Sequence, residues 1–332
     1  MTTIASTLTC ANTPLLRVRD LRKEFKVRLG FRKAGAVSAV DGVSFSIAAG
    51  QTLGIVGESG CGKSTTARLL LGLLDADGGT VEFEGREVSW SNRLADKRLR
   101  RSMQMVFQDP YSSLNPRMSI RENIGFPMQV HGYRKQERAE RVAMLLEQVG
   151  LHRNHASYFP HQLSGGQRQR VNIARALALE PKLVVCDEAV SALDKSIQAQ
   201  VLNLLKDLQL QMQLTYLFIS HDLNVVEYMS DRVVVMYLGQ VVETCASEEL
   251  YRNPLHPYTR ALLAAIPKLD LDATPVPLQL TGEVPSPINP PSGCRFRTRC
   301  PHAMAVCATE RPALRRPAPD HAVACYLYEA SG

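Results

Sequence analysis

The run Gly57-Glu58-Ser59-Gly60-Cys61-Gly62-Lys63-Ser64-Thr65 constrains this chain more than any other feature. Its spacing fits G-x-x-x-x-G-K-[ST], a pattern whose mechanism requires a strand before it and a helix after it. Both are expected here. Thr52–Val56 is near-continuously apolar, as a strand buried on both faces should be, and a helical pattern runs from Thr66 to Leu74. Glycines let such a loop wrap a phosphate with its backbone N–H groups turned inward. Lys63 adds a point charge for the β and γ phosphates, and the helix start adds its dipole. The Ser64 hydroxyl is expected on Mg²⁺. All nine residues, Gly57, Glu58, Ser59, Gly60, Cys61, Gly62, Lys63, Ser64 and Thr65, are expected to line a nucleoside triphosphate.

The surrounding pattern predicts an α/β fold. Leu183–Cys186 and Leu217–Ser220 are further near-continuous apolar runs, and Val201, Leu204, Leu205, Leu208 and Met212 recur at helical spacing between them. Strands separated by helices argue for a sheet with parallel central strands. Leu15–Phe25 and Ser44–Ile47 read as a separate antiparallel patch. Of 19 prolines, 13 fall after residue 253, a density that breaks helices and central strands. Residues 1–253 are therefore expected to form a compact domain, and 254–332 a small irregular appendage. At 332 residues the chain can bury a core unaided. A net charge of +7 is thin over that length, and its one dense run, Lys97–Arg101, reads as a solvated helix face, so nucleic acid is not expected as a partner. No apolar run approaches the roughly 20 residues of a membrane span, and no secretory leader pattern opens the sequence.

A hydrolysing site also needs a carboxylate for the metal and a group to orient water. Asp187 and Glu188, ending the run Leu183–Cys186, supply both: Asp187 for Mg²⁺, Glu188 for the attacking water. Leu163-Ser164-Gly165-Gly166-Gln167 opens another helix and forms a second anion site by the same dipole and amide logic. One nucleotide has no use for two such sites in one subunit. Ser164–Gln167 is therefore expected to reach the γ-phosphate of ATP held by a partner chain.

With these residues in view, the sequence resembles the nucleotide-binding subunits of ATP-binding-cassette transporters. Ser164–Gln167 resembles the family signature, Gln108 in Phe107-Gln108-Asp109-Pro110 the Q-loop, Ser191-Ala192-Leu193-Asp194 the D-loop, and His221 in Ile219-Ser220-His221-Asp222 the switch histidine. The resemblance implies a P-loop cassette with a helical signature subdomain at about 109–180. It implies catalytic roles for Glu188, His221 and Gln108, Gln108 also binding Mg²⁺, and trans contacts from Ser164, Gly165, Gly166, Gln167 and Asp194. Phe25 is the candidate for stacking on adenine, with core packing as the alternative. Similar proteins usually carry proline after the glutamate; this chain has Ala189, which leaves both carboxylates in place.

Two further stretches, 108–118 and 253–262, resemble the dipeptide/oligopeptide importer ATPases, as does 285–294. The subgroup implies two membrane-spanning permease subunits, a paralogous ATPase as partner (a second copy being the alternative), a substrate-binding protein, and a peripheral place on the cytoplasmic face of the bacterial cell membrane. Glutathione and nickel importers share these motifs, and a soluble cassette ATPase is the rival from another class. Among eight cysteines, Cys10, Cys61, Cys186 and Cys245 are dispersed. Cys294, Cys300, Cys307 and Cys325 are gathered in a segment poor in apolar residues, which suits a metal centre. The spacing lacks the close pairs of zinc ribbons, and iron–sulfur ligation tolerates wider gaps. The resemblance implies a [4Fe-4S] cluster there, zinc or no metal being the alternatives.

Overall fold

The computed structural model describes residues 14–29, 33–89, 93–266, 283 and 285–329; Cys10 and the run Thr274–Pro277 lie outside them. Two sheets organise the chain. The first is antiparallel, in the order β2-β1-β4-β5, with β1 Leu16–Leu29, β2 Lys33–Ile47, β4 Gly78–Phe83 and β5 Arg86–Glu87. It is the expected antiparallel patch, and its first two strands are longer than the sequence runs suggested. The second has the order β11-β12-β10-β9-β3-β8-β7-β6. Its members are β3 Thr52–Val56, β6 Met103–Val106, β7 Leu183–Asp187, β8 Thr215–Ile219, β9 Arg232–Tyr237, β10 Gln240–Ala246, β11 Arg315–Ala318 and β12 His321–Val323. The strands from β9 through β6 pair in parallel, while β10, β12 and β11 add antiparallel pairs at the other edge.

The apolar runs become central strands because both faces of the second sheet are covered. Leu183 and Val185 join the core shared with the antiparallel sheet, while Val184 and Cys186 join the core under the long helices. Every residue of β3, β7 and β8 is buried, as a doubly covered parallel sheet requires. The helix Lys195–Met212 buries Val201, Leu205 and Leu208 as its spacing predicts. Within 109–180, the helices Ile120–Val130, Lys135–Gln148 and Gly165–Leu177 pack on one another. Ser119 and Glu122 close a capping box at the first of these, which satisfies donors that a helix start otherwise leaves open.

The proline-rich segment is more regular than its composition predicts. Pro257 sits in the first turn of the helix Pro257–Ala264, where its missing N–H costs nothing, and Pro317 lies on the outermost strand, β11. Tyr258 and Phe296 are buried in the main core. The anchor is Glu243 of β10, fully buried, whose carboxylate accepts from the backbone N–H groups of Leu255 (2.7 Å) and His256 (3.0 Å) and meets His321 Nε2 at 2.7 Å. Burial alone would raise this carboxyl; the His321 contact and the backbone donors outweigh it and hold it below its usual range. His256 caps the helix at 257, its Nδ1 accepting from Tyr258 N–H at 3.0 Å.

Burial pushes the His256 imidazole down to about 4, against an opposing pull from Glu243. Between about pH 6.5 and 4 the unfolded chain therefore binds the proton and the folded chain does not, so stability should fall as pH drops through that window. Asn at this position keeps a capping oxygen and cannot titrate. The melting temperature of His256→Asn should decline less steeply than wild type between those limits. Parallel profiles would contradict the assignment.

Candidate functional site

Parallel strands expose their carboxyl ends along one edge, the place where open α/β sheets bind ligands. Here β3, β8, β7 and β6 lie side by side and deliver the phosphate loop, His221, the pair Asp187 and Glu188, and Gln108 to that edge. The loop 57–62 carries β3 into the helix Lys63–Leu70, which begins three residues before the helical pattern read from sequence. Gly62, the residue before that helix, has φ 103°, and a Cβ there would stand 2.1 Å from the Ala39 carbonyl oxygen. Only glycine fits. The Lys63 side chain is buried, its Nζ donating to the carbonyls of Gly57 (2.7 Å) and Glu58 (3.0 Å).

Ser64 Oγ donates to Asp187 Oδ1 at 2.8 Å. Burial raises the Asp187 carboxyl, with the Ser64 hydrogen bond and Arg68 opposing. This hydroxyl–carboxylate pair beside a buried ammonium is the donor set a magnesium triphosphate requires. One residue on, Glu188 adopts a left-handed φ of 47°, and its N–H bonds the Ile219 carbonyl at 2.9 Å while Ser191 Oγ donates to its own carbonyl at 2.9 Å. Its carboxylate accepts from Gln108 Nε2 at 2.9 Å and lies 3.4 Å from His221 Nδ1. Gln108 and His221, picked from separate stretches, thus share the Glu188 carboxylate.

Ser164 precedes the helix Gly165–Leu177 and forms a capping box with Gln167: Ser164 Oγ accepts from Gln167 N–H (3.3 Å), and Gln167 Oε1 from Ser164 N–H (2.9 Å). Among the described residues no hydrogen bond joins this helix start to the phosphate loop, and Asp194 is exposed. Phe25 is half-buried on β1 opposite Val37, with the Lys23 ammonium 5.7 Å from its ring centroid. Cys61 is packed in the core and burial raises its thiol.

Sequence reading missed the polar residues further along the signature helix. Buried Gln169 donates to the Ala189 carbonyl at 2.6 Å, and Asn172 Nδ2 reaches the Phe107 carbonyl at 3.3 Å. Arg175 donates to Asn172 Oδ1 (2.8 Å) and to the Ser113 carbonyl. One helix therefore holds both the loop after Glu188 and the loop around Gln108. The signal available was three polar side chains on a stripe otherwise apolar enough to be core. Also missed were Tyr258 and Arg299, which reach Glu58 from the C-terminal segment.

Cys294, Cys300, Cys307 and Cys325 line one small cavity with Phe296, Met304 and Leu327. Met304 N–H meets Cys307 Sγ at 3.5 Å, and burial raises the Cys294, Cys300 and Cys325 thiols. Among the described residues no three His, Cys, Asp or Glu form a group able to hold a metal ion. The four thiols surround a common space without closing on a point.

The ABC transporter family profile matches residues 40–191, and that of the oligopeptide/dipeptide transporter C-terminal region matches 242–307. The chain is 52% identical to the oligopeptide transport ATP-binding protein AppF of Bacillus subtilis, over 97% of this chain and 100% of the relative. This chain is an ATP-binding-cassette ATPase. It is 51% identical to the oligopeptide transport ATP-binding protein OppF of Escherichia coli, over 94% of this chain and 95% of that one. Among solved structures, CbiO1 of Clostridium perfringens, part of the transporter complex CbiONQ, superposes with TM-score 0.62 at 28% identity, covering 72% of this chain and 91% of the other. The cassette MJ0796 in a post-hydrolysis state with ADP and Pi gives 0.61 at 29%, covering 70% and 98%.

Around Gly60, φ 79°, a Cβ would meet open space. Gly60→Ala should cost only the left-handed penalty of about 1–2 kcal/mol of stability, with no protein atom displaced. Gly62→Ala must displace the loop or the Ala39 carbonyl, and should weaken ATP more than about tenfold in a nucleotide titration. Equal effects at the two glycines would contradict this packing.

Proposed function

We propose that this ATPase powers import of di- or oligopeptides through a membrane transporter, working at the cytoplasmic face of the bacterial cell membrane without spanning it. The observation that carries the catalytic half is the Glu188 carboxylate shared by Gln108 and His221 beside the Ser64–Asp187 pair. The cargo class rests on the oligopeptide-transport relatives and on the C-terminal match. Cargo choice itself belongs to subunits that touch the cargo. No helix among the described residues is long and apolar enough to cross a membrane, in keeping with a subunit that docks on two permease subunits fed by a substrate-binding protein.

In this reading Gly57–Thr65 wrap the triphosphate and Lys63 leaves the loop carbonyls for the β and γ phosphates. Ser64, Asp187 and Gln108 would hold Mg²⁺, which would offset phosphate charge. Glu188 takes a proton from the attacking water, Gln108 orients that water, and His221 donates to the γ-phosphate. Phe25 stacks on adenine. Ser164, Gly165, Gly166, Gln167 and Asp194 contact the nucleotide of a second ATPase subunit, a paralogue or another copy. ATP then joins two half-sites, and hydrolysis releases them, because ATP and ADP differ in affinity for the closed state. Cys294, Cys300, Cys307 and Cys325 would hold a [4Fe-4S] cluster, which would either tie the C-terminal segment together or sense iron and redox state.

Glu188→Gln should bind ATP normally, hydrolyse it on the order of a hundredfold more slowly and accumulate closed dimer on gel filtration. Fast turnover in that variant would remove Glu188 from its role. Protein purified without oxygen should be brown, with broad absorption near ~400 nm that Cys300→Ser bleaches; colourless protein free of iron and sulfide would reject the cluster.

A further inference from the structure

The second residue of the phosphate loop is gripped from outside the cassette. Glu58 turns its carboxylate away from the loop interior, where the Arg299 guanidinium holds both oxygens, Nη1 to Oε2 at 2.8 Å and Nη2 to Oε1 at 3.1 Å. Its backbone N–H donates to the Tyr258 hydroxyl at 2.8 Å, and its carbonyl takes the Lys63 ammonium at 3.0 Å. All three polar groups of this residue are therefore engaged, two of them by residues 200 and 241 positions away. The grip is itself rigid. Arg299 is 7% exposed and also reaches Tyr237 Oη at 3.5 Å, and the rings of Tyr237, Tyr258 and Phe296 pack mutually with centroids 4.7–5.4 Å apart. A bidentate fork to a carboxylate fixes direction as well as distance.

Arg299 stands immediately before Cys300, in the tight segment 294–300. There Arg297 N–H bonds the Cys294 carbonyl (3.1 Å), Arg299 N–H bonds the Phe296 carbonyl (3.0 Å), and Cys294 N–H bonds the Cys307 carbonyl (2.9 Å). The turn that presents two of the four cysteines is the same turn that aims the guanidinium. We propose that Arg299 and Tyr258 are positioning residues for the phosphate loop, through which the cysteine-bearing segment sets the chain's affinity for ATP. They touch no phosphate; they act by holding the Glu58 peptide in the orientation that leaves the rest of the loop preformed. Preorganisation of this kind is uniform binding energy, so its loss raises KM and leaves kcat nearly unchanged.

The test is a cycle in the full-length chain, with ATP affinity measured by nucleotide titration and turnover measured in the assembled transporter. Arg299→Gln should raise Kd and KM about tenfold with kcat within about twofold, Glu58→Gln should raise Kd about as much, and the double variant should bind ATP no worse than either single. Tyr258→Phe, which removes one oxygen and keeps the ring packing, should raise KM about threefold. Lys63→Ala serves as control: if it too binds ATP normally, the loop's reading fails, whereas normal binding by Arg299→Gln alone sinks only this proposal. Additive effects of Arg299→Gln and Glu58→Gln, or equal loss of kcat and affinity, would also overturn it. Should Arg299→Gln fail to fold, Tyr258→Phe decides, and wild-type KM there rejects the proposal.

Discussion

The hydrogen bond from Ser64 to Asp187 is the contact on which the catalytic edge depends. Ser64 belongs to the first turn after β3, and Asp187 ends β7, with β8 between them. At about 4.8 Å per strand the two strand axes stand roughly 10 Å apart. The phosphate loop must therefore lift the chain out of the sheet, turn it and return it over β8 before the helix begins. Gly62, where any side chain would strike Ala39, is the cost of that path. Buried Lys63 is its consequence: an ammonium this far from water persists only against carbonyl oxygens or phosphate.

The opposite edge of the same sheet performs a different task. Strands β10, β12 and β11 receive the C-terminal segment, and Glu243, buried and fully engaged, is the pin that keeps it there. A second tie runs from Asp41 on the antiparallel sheet to Arg295 (2.7 Å) and Gln240 (2.9 Å). A buried carboxylate is poor evidence of net stability, since its desolvation offsets most of the attraction. Its value is specificity. Apolar packing alone would let a proline-rich segment settle in many registers, and an acidic group that can be satisfied in one arrangement excludes the others.

How much of this was legible follows from the range of each interaction. The central strands, the phosphate loop and the apolar stripe of Lys195–Met212 are written in local periodicity, and the structure returns them nearly residue for residue. The meeting of Gln108, Glu188 and His221 was readable from the family resemblance of their motifs, and the parallel sheet delivers all three to one edge. What stayed hidden is long-range and polar. Nothing near Glu58 announces Arg299, 241 positions later, and nothing in a proline-rich run announces β11 and β12. Proline disfavours interior helix and central strand, but it permits helix starts and sheet edges, as at Pro257 and Pro317.

Ala189 shows how the same logic handles a departure from pattern. The family resemblance leads to an expectation of proline there, and a proline would stiffen the turn after the glutamate by fixing its own φ. Here the turn is held by partners instead. Glu188 N–H bonds β8 at Ile219, Ser191 Oγ bonds the Glu188 carbonyl, and the Gln169 side chain bonds the Ala189 carbonyl from the signature helix. The last of these ties the carboxylate's backbone to the element that begins at Ser164, while Asn172 on the next turn of that helix ties in the loop bearing Gln108. Rotation of the helix would strain both loops together, since a buried amide that loses its partner is costly. The loop after Glu188 and the loop bearing Gln108 are thus anchored on the same helix, and displacing that helix costs both hydrogen bonds at once.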